Sequence, residues 1–181
     1  MSVPEIPAGV WNADPSHSEV GFTVRHLAVA RVRGLFESFE ARIDIAEDPL
    51  QSSVEAEIDL SSIDTRDEGR DEHLRSSDFF SVEDNPKMTF RSTSVKPGGD
   101  GYLVTGDLTI REVTQPVELD LEFNGIGPDP WGGTRIGFSA RTEFSRKDFG
   151  IDFNIPLEGG GFVIGDRIRV NLEIQAVLQQ D

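Results

Sequence analysis

Residues 166–178 read DRIRVNLEIQAVL, and this stretch decides the fold class. Its apolar side chains occupy every second position, and polar or charged side chains fill the positions between them. The apolar set is Ile168, Val170, Leu172, Ile174, Ala176 and Leu178. A period of two places the two sets on opposite faces of an extended chain. The stretch therefore predicts a long β-strand with one buried face.

The same alternation recurs along most of the chain. It is clear in SVEAEIDL at 53–60, in VELDLEF at 117–123 and across 136–144. Weaker strands are predicted at 18–27, 31–45, 87–95 and 102–111, with a short one near Val10 and Trp11. The turn-forming stretches PGGDG, NGIGPDPWGG and EGGG separate several of them. The pattern thus predicts eight or nine strands.

These strands favour one closed barrel over an open sandwich. Many are nine residues or longer, and closure removes the edges that long strands would expose. At 181 residues and 20.0 kDa, with no repeat or linker, the chain is predicted to be a single domain spanning 1–181. The fold class is therefore predicted as all-β, an eight-stranded antiparallel β-barrel with one or two short helices.

Composition excludes several classes of function. A net charge of −16 argues against a nucleic-acid partner, since phosphate binding needs a basic face. The absence of Cys excludes thiol catalysis and disulfides.

No signal peptide or transmembrane run is recognisable, so the protein is predicted to be cytoplasmic, with the apolar face of the barrel turned inward. An eight-stranded barrel is either filled by its side chains or holds one small ligand.

One stretch departs from the alternation, TRDEGRDEHLRSSDFF at 65–80. Thr65 and Glu68 have the spacing of a capping box, which predicts a short helix over about 66–76. On that helix Arg70, His73 and Leu74 share one side. Asp71 and Arg75 have the spacing of an ion pair.

These stretches together resemble the YceI-like family, whose members are known as lipid-binding proteins with an extended lipocalin-like barrel around a polyisoprenoid chain. The resemblance rests on WNADPSHSEVGFTVRHL, SSIDTRDEGRDEHLRSSDFFSVEDNPKMTFRST, GDLTIREVTQPVELD, GFSARTEFSRKDFGI and IGDRIRVNLEI, and it runs from Trp11 to Ile174. Two positions depart from the pattern: Arg66 and Asp67 follow Thr65 where relatives often have Gly and Asn, and Glu112 stands where they often have Gly.

The resemblance implies binding and carriage or storage of a long-chain isoprenoid lipid, such as a polyprenyl phosphate or a quinone. Phe22, Phe90 and Phe138 lie on apolar strand faces and are predicted to line the cavity. Arg70 and His73 are predicted to form a head-group station at the barrel mouth, with Phe79 and Phe80 packing the helix against the rim. His17, one of the positions that match the family, is included among the ligand-binding residues. Transient membrane contact and a homodimer are left open.

Three alternatives remain at this point. His17, His26 and His73 could ligate zinc, but on one continuous strand His17 and His26 face apart, so no metal site is predicted. A lipid-modifying isomerase or cyclase would need only an acid–base pair in the cavity. A filled barrel would serve as a structural module that binds a protein partner. No catalytic motif or cofactor fingerprint is present, so no catalytic residue, cofactor or metal is predicted.

Overall fold

The computed structural model describes residues 6–27, 29–99, 101–158 and 162–180 and consists almost entirely of β-strands. The strands are β1 (Gly9–Ala13), β2 (Glu19–His26), β3 (Ala30–Phe36), β4 (Phe39–Ile45), β5 (Ser53–Asp59), β6 (Ile63–Asp64), β7 (Lys87–Gly98), β8 (Gly101–Ile110), β9 (Val113–Pro128), β10 (Thr134–Ser145) and β11 (Ile164–Leu178). The helix α1 (Glu68–Arg75) lies between β6 and β7. Four 3-10 turns cover Pro15–His17, Pro49–Gln51, Leu60–Ser62 and Arg146–Phe149.

The strands close into an eight-stranded antiparallel barrel, as predicted. Along one edge, β11 pairs with β10. Along its other edge it pairs first with β2 and then with β1, which in turn pair with β3 and β4. Thus β1 and β2 form one broken barrel strand, β3 and β4 a second, and β5 and β6 a third.

The breaks in these three strands have local causes. Asp14 accepts a hydrogen bond from the Ser16 amide at 3.0 Å, and Pro15 starts the 3-10 turn that separates β1 from β2. Asp59 caps the turn after β5 in the same way. The prediction of one continuous strand over 31–45 was wrong at residues 37–38. There the amide of Ser38 donates to Ser62 Oγ at 3.0 Å instead of to a neighbouring strand.

The connection after β9 is shorter than predicted. NGIGPDPWGG was read as a loop, but β9 continues to Pro128, and only residues 129–133 form the turn. A register shift at Gly137/Phe138 opposite this stretch accommodates the irregular glycine-containing strand. The predicted turns at 97–101 and 158–161 include positions outside the described residues, namely 100 and 159–161.

The two ends of the barrel differ. One end is closed by a compact apolar cluster of Trp11, Ile45, Ile136, Phe138 and Ala176. Trp11 is fully buried, and its indole NH donates to the Pro7 carbonyl at 3.1 Å. The opposite end carries α1, the β2–β3 turn and the segment after β10. This helix end is where the polar side chains of the interior gather.

Candidate functional site

An apolar cavity of about 400 Å³ occupies the barrel interior. Its wall is built from the inward side chains of the strands, which are mainly Val, Ile, Leu and Phe. Phe22, Phe90 and Phe138 all line the cavity, and their role in ligand binding stays a prediction. The open space favours a ligand-binding barrel over the filled-barrel alternative.

Two glycines make room for the aromatic rings of the wall. Gly34 lies opposite Phe22 in the register of β2 and β3, and a Cβ at this position would collide with the Phe22 ring. A Cβ at Gly106 would collide with the ring of Phe90 in the same way. Because these glycines have no side chain, each ring can approach the neighbouring strand closely.

The few polar side chains of the wall are concentrated at the helix end. They are Arg25 at the rim, His26, Arg70, His73 and Arg146, with Thr142 deeper along β10. None of the described residues that line the cavity is Asp or Glu. The wall therefore suits a molecule that is hydrocarbon over most of its length and polar or anionic at one end.

Arg70 is held rigidly at the mouth. Its Nε donates to Thr65 Oγ1 at 2.8 Å and its Nη2 donates to the Thr65 carbonyl at 2.7 Å. Thr65 is itself fixed, because its amide and hydroxyl both donate to the buried carboxylate of Asp71. Two sides of the guanidinium are thus bound to protein, and the fork is oriented before any ligand arrives.

Two expected contacts of the helix were wrong. The cap is Asp67, whose side chain accepts from the Arg70 amide at 3.0 Å, so Thr65 and Glu68 form no capping box. Asp71 does not pair with Arg75, since Asp71 accepts from Thr65 and Arg75 donates to the carbonyls of Ser61 and Ile63. The causes differ: the cap is still a local i,i+3 contact, made two residues later than expected, whereas Arg75 is drawn to backbone carbonyls that precede the helix.

His73 also lies at the mouth, as expected, but with one nitrogen engaged. Its Nε2 is 2.8 Å from Asp78 Oδ2, and its ring packs edge-on between Phe79 and Phe153. When Nε2 donates to Asp78, the neutral ring has only Nδ1 left, and that nitrogen is an acceptor. In that tautomer Nδ1 can accept from a hydroxyl group, and donation from His73 to a head group stays a prediction. Phe79 is buried in the core, which confirms its packing role.

Arg146 is the most deeply buried charged group of the wall, with 4% exposure. Its Nε donates to the Gly165 carbonyl at 3.0 Å, and its Nη1 donates to the carbonyls of Ile151 and Phe153, both at 2.8 Å. Nη2 is buried without a hydrogen-bond partner among the described residues and lies 3.6 Å from Asp166 Oδ1. Burial lowers the pKa of the guanidinium below its ordinary value, with Asp166 opposing that effect.

His17 does not contribute to this cavity. It lies in the 3-10 turn between β1 and β2, half-exposed, with Nδ1 2.8 Å from Asp14 Oδ2. Asp14 is bonded to Gln175 of β11, whereas His26 pairs with Ile164 at the other end of that strand. His17 therefore lies far from His26 and His73, and the three histidines do not converge on one point. Among the described residues, no group of three or more histidine and carboxylate side chains has the arrangement of a metal site.

The pKa of Asp14 reports on the hydrogen bonds that hold the turn between β1 and β2. Hydrogen bonds from Arg135, then from Ser16 and His17, hold the pKa of Asp14 well below its usual range. Because the folded-state pKa is depressed, the stabilisation is present above the unfolded value of about 3.9 and is lost as the pH falls below it. We expect Asp14→Asn to lower the free energy of unfolding by about 2 kcal/mol at neutral pH, and by less in acid.

Urea unfolding followed by circular dichroism at several pH values measures this effect. Asp44→Asn is the matched control, because Asp44 is exposed and lies 4.0 Å from Arg42. A destabilisation by Asp14→Asn that does not change between neutral and acid solution would contradict the role of the Asp14 charge.

The sequence contained signals for two wall residues that were not chosen. Arg146 continues the inward set of β10, after Ala140, Thr142 and Phe144, by one further step of two. His26 continues the set of Phe22 and Val24 in the same way. Extending each alternation beyond the last apolar residue would have found both.

Known proteins share this architecture. The profile of the YceI-like domain matches residues 11–176. The UPF0312 protein SERP2314 of Staphylococcus epidermidis is 40% identical over 161 residues, which cover 88% of this chain and 92% of the relative. The YceI protein of Campylobacter jejuni is 28% identical, with a TM-score of 0.71 over 99% of this chain and 100% of that chain.

A more distant structure is a polyisoprenoid binding domain from Saccharophagus degradans implicated in plant cell wall breakdown. It matches with a TM-score of 0.69 at 13% identity, covering 96% of this chain and 100% of that chain, which establishes likeness of fold. In the described part of the chain, the single α-helix is too short to cross a membrane.

The family profile spans the strands, the helix and the segment after β10, which are the parts that build the cavity and its polar mouth. Nearly the whole chain is covered, and the resemblance inferred from its motifs is confirmed. The chain belongs to the YceI-like family.

Proposed function

We propose that the protein binds a long-chain isoprenoid lipid in the barrel cavity and carries or stores it. The observation that carries the proposal is the distribution of polarity in the wall, which is hydrocarbon along its length and polar at the helix end. A volume of about 400 Å³ is within the range of small-molecule sites. The fold is also that of the polyisoprenoid binding domain from Saccharophagus degradans.

The same distribution orients the ligand. Each buried CH₂ group contributes about 0.8 kcal/mol, so the tail supplies most of the affinity and favours the apolar depth of the cavity. The tail would point toward the cluster around Trp11, which closes the far end. The head group would remain at the helix end, beside Arg70 and His73.

Arg70 is proposed to recognise the head group. Nε and Nη2 are used to hold the side chain on Thr65, while Nη1 has no protein partner among the described residues. A charged donor that is already oriented loses little entropy when it meets a phosphate or a quinone carbonyl. Charge-assisted hydrogen bonds of this kind favour an anionic head group over an alcohol with the same tail.

Binding, and not catalysis, is the function that this wall supports. The YceI-like family is a family of binding-type barrels and not a known enzyme family. An isomerase or cyclase would use an acid–base pair near the tail, but the described wall has no carboxyl group, and its histidines lie at the mouth.

Organic extraction of the purified protein, followed by mass spectrometry, tests the proposal. We expect a long-chain isoprenoid in the extract, and uptake of a polyprenyl alcohol by protein that has been stripped of lipid. A stripped protein that takes up neither polyprenyl alcohol nor polyprenyl phosphate would refute the proposal.

Replacement of Arg70 tests the head-group assignment separately. Arg70→Ala is expected to reduce affinity for a polyprenyl phosphate roughly tenfold, with little change for the alcohol of equal length. Arg66→Ala is the matched control, because Arg66 is exposed, four residues earlier and outside the cavity wall. Titration by tryptophan fluorescence or calorimetry gives both affinities. Equal affinity of the Arg70→Ala variant and the parent for the phosphate would remove Arg70 from the site.

A further inference from the structure

We propose that the tip of the β2–β3 hairpin, at Leu27 and Val29, and the adjoining loop residues 155–158 and 162–163 dock the cavity mouth onto an anionic phospholipid bilayer. This inference rests on the proposed function, because a carrier of a membrane lipid must receive it from a bilayer. Three independent features of the described residues lead to it: an exposed apolar tip, a strained leucine in the turn, and a local reversal of charge.

The tip exposes large apolar side chains beside the cavity entrance. Val29 is 85% exposed and Leu27 40%, while on the loop Phe162 is 58% exposed and Ile155 49%. The Leu27 amide donates to the Val163 carbonyl at 2.8 Å, so hairpin and loop are held together. Val163 and Ile155 also line the cavity. The apolar surface is therefore continuous with the interior.

The stability of the turn does not explain why a leucine occupies position 27. Leu27 has a φ of 56°, in the left-handed region that Gly, Asn and Asp adopt most readily. A leucine here costs conformational energy and also exposes hydrocarbon to water. Insertion of the side chain into a bilayer would remove the second of these costs, which gives the leucine a role that turn geometry alone does not.

The charge of the hairpin is opposite to that of the protein, and the adjoining loop residues add one acid, Glu158. The chain carries a net charge of −16, yet residues 20–36 contain Arg25, Arg31 and Arg33 and no acidic residue. Arg25 is paired with Arg31 across the hairpin, and Arg33 with Thr23, so the three arginines share the outer face. None of the three forms an ion pair with a carboxylate of the described residues. Two further arginines on the neighbouring β11, Arg167 and Arg169, share the single carboxylate of Glu143.

Charge complementarity selects an anionic bilayer as the occupant of this surface. Each arginine near an anionic membrane strengthens binding, and apolar side chains beside the arginines insert below the head groups. The exposed acids of α1 at the same end, Asp67, Glu68 and Glu72, would be repelled by such a membrane, so the hairpin side of the mouth is expected to approach it first. Docking in that orientation places His26 and the cavity mouth at the lipid surface.

Flotation with unilamellar vesicles tests the inference on the full-length chain. We expect binding to vesicles of equal parts phosphatidylcholine and phosphatidylglycerol, weaker binding at high salt, and little binding to phosphatidylcholine alone. The double variant Arg31→Ala/Arg33→Ala should reduce partitioning roughly 30-fold. Its control is Arg42→Ala/Arg91→Ala, two exposed arginines on β4 and β7 whose replacement should leave partitioning unchanged.

Leu27→Asn separates docking from folding. Asparagine tolerates the left-handed conformation, so the melting temperature should hold or rise while vesicle partitioning falls. Trp131→Asn is the control for loss of exposed apolar surface, because Trp131 is 77% exposed in the turn between β9 and β10, at the opposite end. A Leu27→Asn variant that is more stable than the parent and still binds vesicles fully would overturn the inference.

Uptake of a short-chain prenyl alcohol from vesicle-free solution distinguishes this inference from the proposed function. Variants that take up the alcohol normally but no longer float with anionic vesicles support docking. If the parent takes up the alcohol but ignores anionic vesicles, the docking inference fails and the proposed function stands. If the parent binds vesicles but no prenyl ligand, the proposed function fails, and the surface remains a membrane site.

Discussion

Replacing Phe138 with Trp is expected to shorten the longest isoprenoid that the barrel accepts. Phe138 lies in the cavity wall and also in the apolar cluster around Trp11, at the closed end. A larger ring at that depth would occupy the space of the last methylene groups of a long tail. Loss of two CH₂ contacts costs about 1.6 kcal/mol, which corresponds to a roughly 15-fold weaker affinity.

A series of polyprenyl alcohols of increasing length measures this effect. Affinity of the Phe138→Trp variant should match that of the parent for short alcohols and stop rising at a shorter chain length. Arg141→Trp is the control, because Arg141 lies on the same strand with 77% of its side chain exposed. Parallel affinity curves for Phe138→Trp and the parent over the whole series would place the tail elsewhere.

Arg146→Leu is expected to produce the largest loss of stability among single changes at the mouth. The substitution leaves three main-chain carbonyls, of Gly165, Ile151 and Phe153, without their donor. Asp166 is half-exposed and keeps Lys147 at 3.5 Å, so the cost comes mainly from the carbonyls. Leaving a buried acceptor without its donor typically costs about 1–3 kcal/mol.

The consequence should extend from stability to ligand retention. The Phe153 ring packs on His73 and Phe79, so the three carbonyl bonds of Arg146 hold the segment that covers the mouth. Urea unfolding gives the stability, and the dissociation rate of a bound prenyl ligand gives the retention. Arg141→Leu, on the exposed face of the preceding strand β10, should change the free energy of unfolding by less than about 1 kcal/mol. An Arg146→Leu variant with unchanged stability and unchanged dissociation would show that water replaces the guanidinium.

Alternation of side chains was sufficient to predict the strands and their inward faces. A period of two depends only on the geometry of an extended backbone, so Phe22, Phe90 and Phe138 could be placed in the wall from the sequence. The same rule, extended by one step on β2 and β10, would have included His26 and Arg146. The strand breaks were harder to predict, because the bend at 37–38 depends on a hydrogen bond to Ser62, which is distant in sequence.

In the helix, by contrast, the local spacing of residues did not predict the contacts correctly. Local spacing predicted a Thr65–Glu68 capping box and an Asp71–Arg75 pair, and both were wrong. Thr65 instead connects Asp71 to Arg70, and Arg75 reaches back to the strand segment before the helix. Several local partners were available to each charged side chain at similar energy, so burial and the neighbouring backbone selected among them.

The barrel and its apolar interior followed from the alternation of neighbouring side chains, which does not depend on remote contacts. The mouth position of residues 65–80 was a hypothesis that the alternation does not contain. Three features needed the folded structure: His17 lies away from the cavity, Asp78 occupies Nε2 of His73, and Arg146 holds the mouth segment. The reason is physical: hydrogen bonds of buried polar groups depend on which distant strands bring a donor and an acceptor together, and a one-dimensional pattern does not contain that distance.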